Sequence, residues 1–178
     1  MSSFGDGFGD RVYQLFGWRR QEPEAMILWL GLDGCGKSAL LKRCLALKTN
    51  YQGLEDNLDR NAPSSGSAVT IEEITPSLPT QGYEIKSMEL FGMRIVAWDV
   101  GGQKTLRHTW RKYFTGATNV DVLVYVIDSS DRRRIAETGI TLRQLLDEDR
   151  LSGVPLLIFA NKQDVSTALT PLQLVRAV

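Results

Sequence analysis

Cysteine is nearly absent from this chain: Cys35 and Cys44 are the only two among 178 residues. Two thiols cannot build a disulfide framework, and they suit a reducing compartment better than an oxidising one. At these positions they read as small packing groups. Histidine is scarcer still, and the lone His108 reads as a surface or packing residue. Neither sign of charge is in excess, since 21 basic residues balance 21 acidic ones. That balance removes the electrostatic case for nucleic acid as main partner, because such binders concentrate positive charge to displace counterions. Long hydrophobic runs are missing too. Those at 25–30 and 122–127 are the longest, far short of the roughly 18 residues of a membrane span. The first 20 residues carry Asp6, Asp10 and scattered glycines in place of an apolar signal core. Ser2 stands where N-myristoylation requires glycine, so no acyl anchor is expected. A cytoplasmic setting follows as the expectation. What remains is ordinary globular material, 43% apolar and 24% charged, in a length that suits one domain.

Residues 1–21 read as a leader. Phe4, Phe8, Val12, Leu15 and Phe16 fall on one helical face, while Gly5, Gly7 and Gly9 each weaken such a helix by about 1 kcal/mol. From residue 22 onward, element types alternate. The run 25–30 (AMILWL) predicts a strand buried on both faces, then a glycine-rich turn, then a helix over 38–47. A polar, irregular insertion at about 48–75 is expected to be mostly disordered. Residues 82–90 alternate, turn at Phe91-Gly92 and return through 94–98, which predicts an antiparallel hairpin. A buried strand over 120–127 precedes an amphipathic helix over 132–150 with Ile135, Leu142, Leu145 and Leu146 inward. Arg132-Arg133-Arg134 reads as the solvated start of that helix. A further strand follows at 156–159. Thr170, Pro171 and Gln173 then write a capping box with proline at the first helical position. The order predicts an α/β fold: a mostly parallel sheet with one antiparallel edge strand and helices on both faces.

Three motifs carry chemistry. Gly31-Leu32-Asp33-Gly34-Cys35-Gly36-Lys37-Ser38 fits G-x-x-x-x-G-K-[ST], and it sits between a strand and a helix as that motif requires. Its glycines let backbone N–H groups converge on a phosphate, and the helix N-terminus adds partial positive charge. Lys37 is placed to reach the β and γ phosphates, and the Ser38 hydroxyl to ligate Mg²⁺. Asp99, at the end of the second hairpin strand, is placed to hold the same ion through water. Gly102 is placed to offer its N–H to a γ phosphate, with no side chain to block the approach. Asn161-Lys162-Gln163-Asp164 follows the last strand. A carboxylate there accepts from both N1–H and the exocyclic amine of guanine but faces the lone pair of adenine N1. Asp164 therefore argues for guanine and against a P-loop ATPase or kinase. Asn161 is placed to tie this loop to the first motif, and the Lys162 stem to cover the base.

In these motifs the chain resembles the small GTPases of the ADP-ribosylation-factor-like branch. The loop 31–38 with its Asp33, the run Trp98-Asp99-Val100-Gly101-Gly102-Gln103 and the loop 161–164 are all close to how that branch writes them. The stretches 79–87, 137–139 and 151–155 look closest to its third Arf-like type. The resemblance implies a P-loop small-GTPase fold, with 22–178 as the GTP-binding domain. It also implies GTP/GDP with Mg²⁺, and a switch that hydrolyses GTP slowly without an activating partner. By it, Thr80 reaches Mg²⁺ and the γ phosphate only with GTP bound, and Gln103 orients the attacking water while Lys37 stabilises charge. Tyr83, Trp98 and Tyr113 match the branch's aromatic triad. The partners implied are an exchange factor, a GTPase-activating protein and effectors, lipid-cargo carriers among them. Trafficking of lipidated or membrane cargo, peripheral membrane contact through the leader and association with the cilium complete the implied biology. The family continues past position 178 with a strand, a second guanine loop and a long helix. Relative to it the chain is C-terminally truncated, so the alternative is a hydrolysis-deficient or nucleotide-weak interaction module.

Overall fold

The computed structural model describes residues 24–55, 80–90, 93–114 and 119–178. The leader at 1–21, the Phe91-Gly92 turn and the part of the polar insertion beyond residue 55 lie outside the described residues. Five strands form one sheet: β1 (Glu24–Leu30), β2 (Tyr83–Leu90), β3 (Met93–Val100), β4 (Val122–Asp128) and β5 (Leu156–Asn161). Their order is β2-β3-β1-β4-β5, with β2 antiparallel to β3 and every other pairing parallel. Around the sheet run α1 (Lys37–Glu55), α2 (Arg111–Phe114), α3 (Ile135–Leu146) and α4 (Pro171–Ala177).

Strand periodicity explains why the sheet is covered on both faces. On β1 and β4, Met26, Leu28, Leu30, Leu123, Tyr125 and Ile127 point to one side, into a core closed by Trp110, Phe114, Ile135, Leu142, Leu145 and Leu174. Their alternates Trp29, Val124 and Val126 point to the other side, where Cys35 and Leu41 pack. Trp29 stacks on Phe159 with ring centroids 5.9 Å apart. Leu28, Leu30, Leu123, Tyr125 and Ile127 are fully buried, each apolar side chain contributing about 1.5–3 kcal/mol.

Several boundaries differ from the sequence-based expectation. The first helix continues to Glu55, so the polar stretch begins with helix rather than loop. Strand β3 runs to Val100, placing Asp99 inside it. The expected helix over 132–150 is a 3-10 turn at Arg132–Arg134, α3 proper, and a second 3-10 turn at Asp149–Leu151. Leu146 is exposed rather than inward, because it stands about 100° round the helix from the buried Leu145. The Thr170 cap forms as written: Gln173 N–H donates to Thr170 Oγ1 and Thr170 N–H donates to Gln173 Oε1.

Because β1, β3, β4 and β5 are parallel, their C-terminal ends share one edge of the sheet. The loops after Leu30, Val100, Asp128 and Asn161 all open there, which is where open α/β sheets bind ligands.

Candidate functional site at the carboxyl ends of the strands

The loop 31–36 curls from β1 into α1 and is held by its own lysine. Lys37 is 6% exposed, and its Nζ donates to the carbonyl oxygens of Gly31 and Leu32 at 3.0 and 3.2 Å. Cys35 Sγ lies 3.9 Å from that nitrogen. Burial pushes the Cys35 thiol up, against the pull of Lys37, so this cysteine is an inert packing group, as expected. Two glycines bear directly on how the loop meets its neighbours, Gly36 through its backbone angle and Gly102 through a close backbone approach. Gly36 has φ +91°, and a Cβ on it would stand 2.5 Å from Asn161 Nδ2. A Cβ on Gly102 would overlap the Gly31 carbonyl oxygen and meet Asp33 N at 2.6 Å. Gly102 is thus packed flush against the loop, where its carbonyl accepts from Asp33 N–H at 3.2 Å.

Three oxygen donors from distant parts of the chain meet beside Lys37. Ser38 Oγ and Thr80 Oγ1 are 3.0 Å apart, and the Ser38 hydroxyl interacts with the Asp99 carboxylate. Asp99 has no exposed surface, and neither carboxylate oxygen completes a hydrogen bond of good geometry. Burial raises its pKa, opposed by the Ser38 hydroxyl and the Lys37 charge. A buried carboxylate without a full partner is costly, and a hard cation removes that cost. Two hydroxyls and one carboxylate suit Mg²⁺, which keeps part of its shell for water and phosphate oxygens. Among the described residues there is no group of three or more His, Cys, Asp or Glu that would make a closed metal cage. The donor set therefore fits the ion that the motifs imply.

The third motif lies on the same edge. Asn161 Nδ2 donates to the Cys35 carbonyl at 2.7 Å, tying the loop after β5 to the loop after β1. Lys162 adopts φ +62°, the only positive φ outside glycine among the described residues, and its ammonium meets Asp128 Oδ2 at 2.6 Å. Asp164 stands exposed beyond it, on a turn closed by Val165 N–H to Lys162 O. Gln103 follows Gly102 and is half-buried. Tyr83, Trp98 and Tyr113 form a mutual cluster with centroids 5.3 to 5.9 Å apart, and Tyr83 is 52% exposed. His108 is exposed.

The expectation of a solvated Arg132-Arg133-Arg134 run holds for the exposed Arg132 and Arg133 and needs correction at Arg134. Arg134 reaches across to Asp33 and Asp131, and Arg132 donates to the Thr167 carbonyl. Asp128, Arg107, Arg134 and Glu137 are site neighbours that the sequence reading did not single out. Each lies on an element whose approach to the loop 31–36 is set by the sheet order, and no local spacing marks it.

Sheet order, motif placement and the shared strand edge define the P-loop GTPase fold. Residues 67–178 match the sequence profile of the ADP-ribosylation factor family. A relative called ADP-ribosylation factor-like protein 3, from Chlamydomonas reinhardtii, is 42% identical over 153 residues, spanning 86% of this chain and 71% of the relative. One of the same name from Caenorhabditis elegans is 36% identical over 154 residues, spanning 86% and 68%. In fold, the chain is similar to the Arl6 BBS3 small GTPase of Trypanosoma brucei, solved with bound nucleotide analogue GppNp. The TM-score is 0.63 at 24% identity, covering 86% of this chain and 76% of that one. The chain belongs to the ADP-ribosylation factor family, whose members bind guanine nucleotides and hydrolyse GTP.

Proposed function

We propose that this chain is a guanine-nucleotide switch that binds GDP and GTP with Mg²⁺ and hydrolyses GTP slowly until a partner accelerates it. The observation that carries this reading is the Asp99 carboxylate, buried without a complete hydrogen bond beside Ser38 Oγ, Thr80 Oγ1 and the Lys37 ammonium. Backbone N–H groups of 33–38 bind phosphate, and Lys37 exchanges the Gly31 and Leu32 carbonyls for phosphate oxygens. Ser38, Thr80 and Asp99 would hold Mg²⁺, whose chemistry when bound would be to neutralise negative charge on the phosphates. Asp164 selects guanine through its paired acceptors, the Lys162 stem covers the base, and Asn161 keeps both in register with the phosphate loop. Gly102 offers its N–H to the γ phosphate, and Gln103 orients the attacking water.

Thr80 lies three residues before Tyr83 and Gly102 two residues beyond Val100, so both open ends of the β2–β3 hairpin flank the proposed nucleotide site. A change of nucleotide would thus move the Tyr83–Trp98–Tyr113 cluster, of which Tyr83 is exposed for an effector to read. We further propose peripheral membrane contact through the leader at 1–21, a cytoplasmic or cilium-associated location, and a role in moving lipidated or membrane cargo. The cargo role rests on the family membership; the membrane contact and the location rest on the resemblance to the ADP-ribosylation-factor-like branch.

The test is a titration with labelled GDP, repeated with competing ADP and XDP, for the wild-type chain, Lys37→Ala and Asp164→Asn. Tight GDP binding by wild type is expected, with loss in Lys37→Ala and a shift of base preference toward XDP in Asp164→Asn. Equal affinity and base preference in all three proteins refutes the site assignment. Absence of GDP binding by wild type favours the interaction-module alternative.

A further inference from the structure

A loop that gathers backbone N–H groups to hold anions carries, in Asp33, an anion of its own. The structure deals with that charge in a specific way. Asp33 Oδ1 accepts from Arg134 Nη1 at 3.2 Å and from Arg107 Nη2 at 3.4 Å. Arg134 Nη2 donates as well to the Asp33 carbonyl oxygen at 3.0 Å. Each arginine is aimed by a second carboxylate. Arg107 Nη1 meets Glu137 Oε1 at 2.7 Å, and Arg134 Nε meets Asp131 Oδ2 at 2.7 Å. Arg107 Nε finally donates to the Gly102 carbonyl at 2.9 Å, the same oxygen that accepts from Asp33 N–H. The cluster therefore sits on the Gly102 side of the loop, the end at which a third phosphate is met.

Its charge count is informative. Asp33, Asp131 and Glu137 carry three negative charges against two from Arg107 and Arg134, a balance of −1. Without Arg134 the balance is −2, and the Asp33 carboxylate loses one of its two guanidinium contacts, the shorter one. Arg134 grips Asp33 by its carboxylate and its backbone carbonyl together, so the planar fork holds the residue's direction as well as its charge.

We infer that Arg134 and Arg107 turn aside and neutralise the Asp33 carboxylate so that the phosphate loop accepts the extra charge of a triphosphate, making this cluster a determinant of GTP-over-GDP preference. The inference rests on the nucleotide reading above. Asp33 and both arginines are partly exposed, so screening keeps the effect to a few-fold.

The experiment measures affinity for fluorescent GDP and for a non-hydrolysable GTP analogue, both with Mg²⁺, and takes their ratio. Arg134→Ala should lower the preference for the triphosphate about three- to five-fold, within the range of partly exposed ion pairs. Asp33→Asn should raise it by a similar factor. In Asp33→Asn/Arg134→Ala, loss of the arginine should change the ratio less than about two-fold relative to Asp33→Asn, because the charge it neutralises is gone. An unmoved ratio in Arg134→Ala overturns the inference, and so does an equal effect of Arg134→Ala in both backgrounds. Should Arg134→Ala fail to fold, Asp33→Asn decides alone, and an unchanged or lowered ratio overturns the idea. Absence of GDP binding by wild type overturns the nucleotide reading and this inference with it, whereas GDP binding with an unmoved ratio overturns this inference alone.

Discussion

Asp99→Asn should make the nucleotide-free protein more stable and the loaded protein comparatively less so. The wild-type carboxylate has no exposed surface, and neither oxygen completes a hydrogen bond. An unsatisfied buried polar group costs about 1–3 kcal/mol, more when it is charged. The neighbouring Lys37 charge returns part of that. Asparagine keeps the shape and removes the charge, so a net gain of about 1–3 kcal/mol is expected without metal or nucleotide. For a domain of this size each kcal/mol moves Tm by roughly 2–4 °C. Adding Mg²⁺ and GDP at about 1,000 times their Kd stabilises the wild type by about 4.1 kcal/mol through mass action. The variant, lacking the anionic ligand, gains far less. Thermal unfolding of both proteins, first in EDTA after nucleotide removal and then with Mg²⁺ and GDP, reads the two terms separately. The expected result is a crossing of order, the variant melting higher in the first condition and lower in the second. A variant that melts below wild type in EDTA would mean that Asp99 is satisfied as it stands, and the reasoning from its burial would fail.

Gly36→Ala places a side chain at φ +91° and 2.5 Å from Asn161 Nδ2. Backbone strain of about 1–3 kcal/mol and the weakened Asn161–Cys35 hydrogen bond, about 0.5–1.5 kcal/mol, should together lower urea-unfolding stability by about 2–4 kcal/mol; a loss under about 1 kcal/mol contradicts the geometry. Gln103→Leu should keep GTP affinity while slowing hydrolysis, most visibly in single turnovers with an activating partner, and an unchanged rate there makes Gln103 a bystander. At Asp128, burial raises the carboxyl pKa, but the hydrogen bonds and charge from Lys162 and Ser130 outweigh it, leaving it below the ordinary value of 3.8. A lowered carboxyl pKa stabilises the fold above the unfolded value and loses that contribution as pH falls through the folded one. Asp128→Asn should therefore cost about 1–3 kcal/mol at neutral pH, with the gap to wild type closing below about pH 4; a gap of constant size down to pH 2 refutes the ion-pair account.

The motif residues were legible because their chemistry is local. A strand, six residues and a helix suffice to aim backbone N–H groups, so the loop 31–38 was readable without any tertiary information. The capping box at Thr170 is likewise complete within four residues. Alternation along β1 and β4 announced two buried faces, and the structure fills both. Leu146 departs from the expectation because adjacent leucines on a helix stand about 100° apart, so only Leu145 of the pair faces the core. The arginine run misled for a related reason: three consecutive like charges look solvated, yet successive residues on a turn point in different directions. Arg134 alone therefore faces the phosphate loop.

By itself, then, the sequence determined the fold class, the order of the motifs and the position of Asp164, the carboxylate we propose selects guanine, each being a property of a short window. The tertiary structure decided what no window contains. It put Thr80 3.0 Å from Ser38 across 42 residues of chain and buried Asp99 in the interior of β3 beside them. It carried Arg107 and Arg134 onto Asp33 from two different elements. These contacts depend on the strand order β2-β3-β1-β4-β5, which brings together at one sheet edge loops that lie far apart along the chain. Side-chain charges act over a few ångströms, so their partners are settled by which loops the sheet makes neighbours rather than by their spacing in sequence.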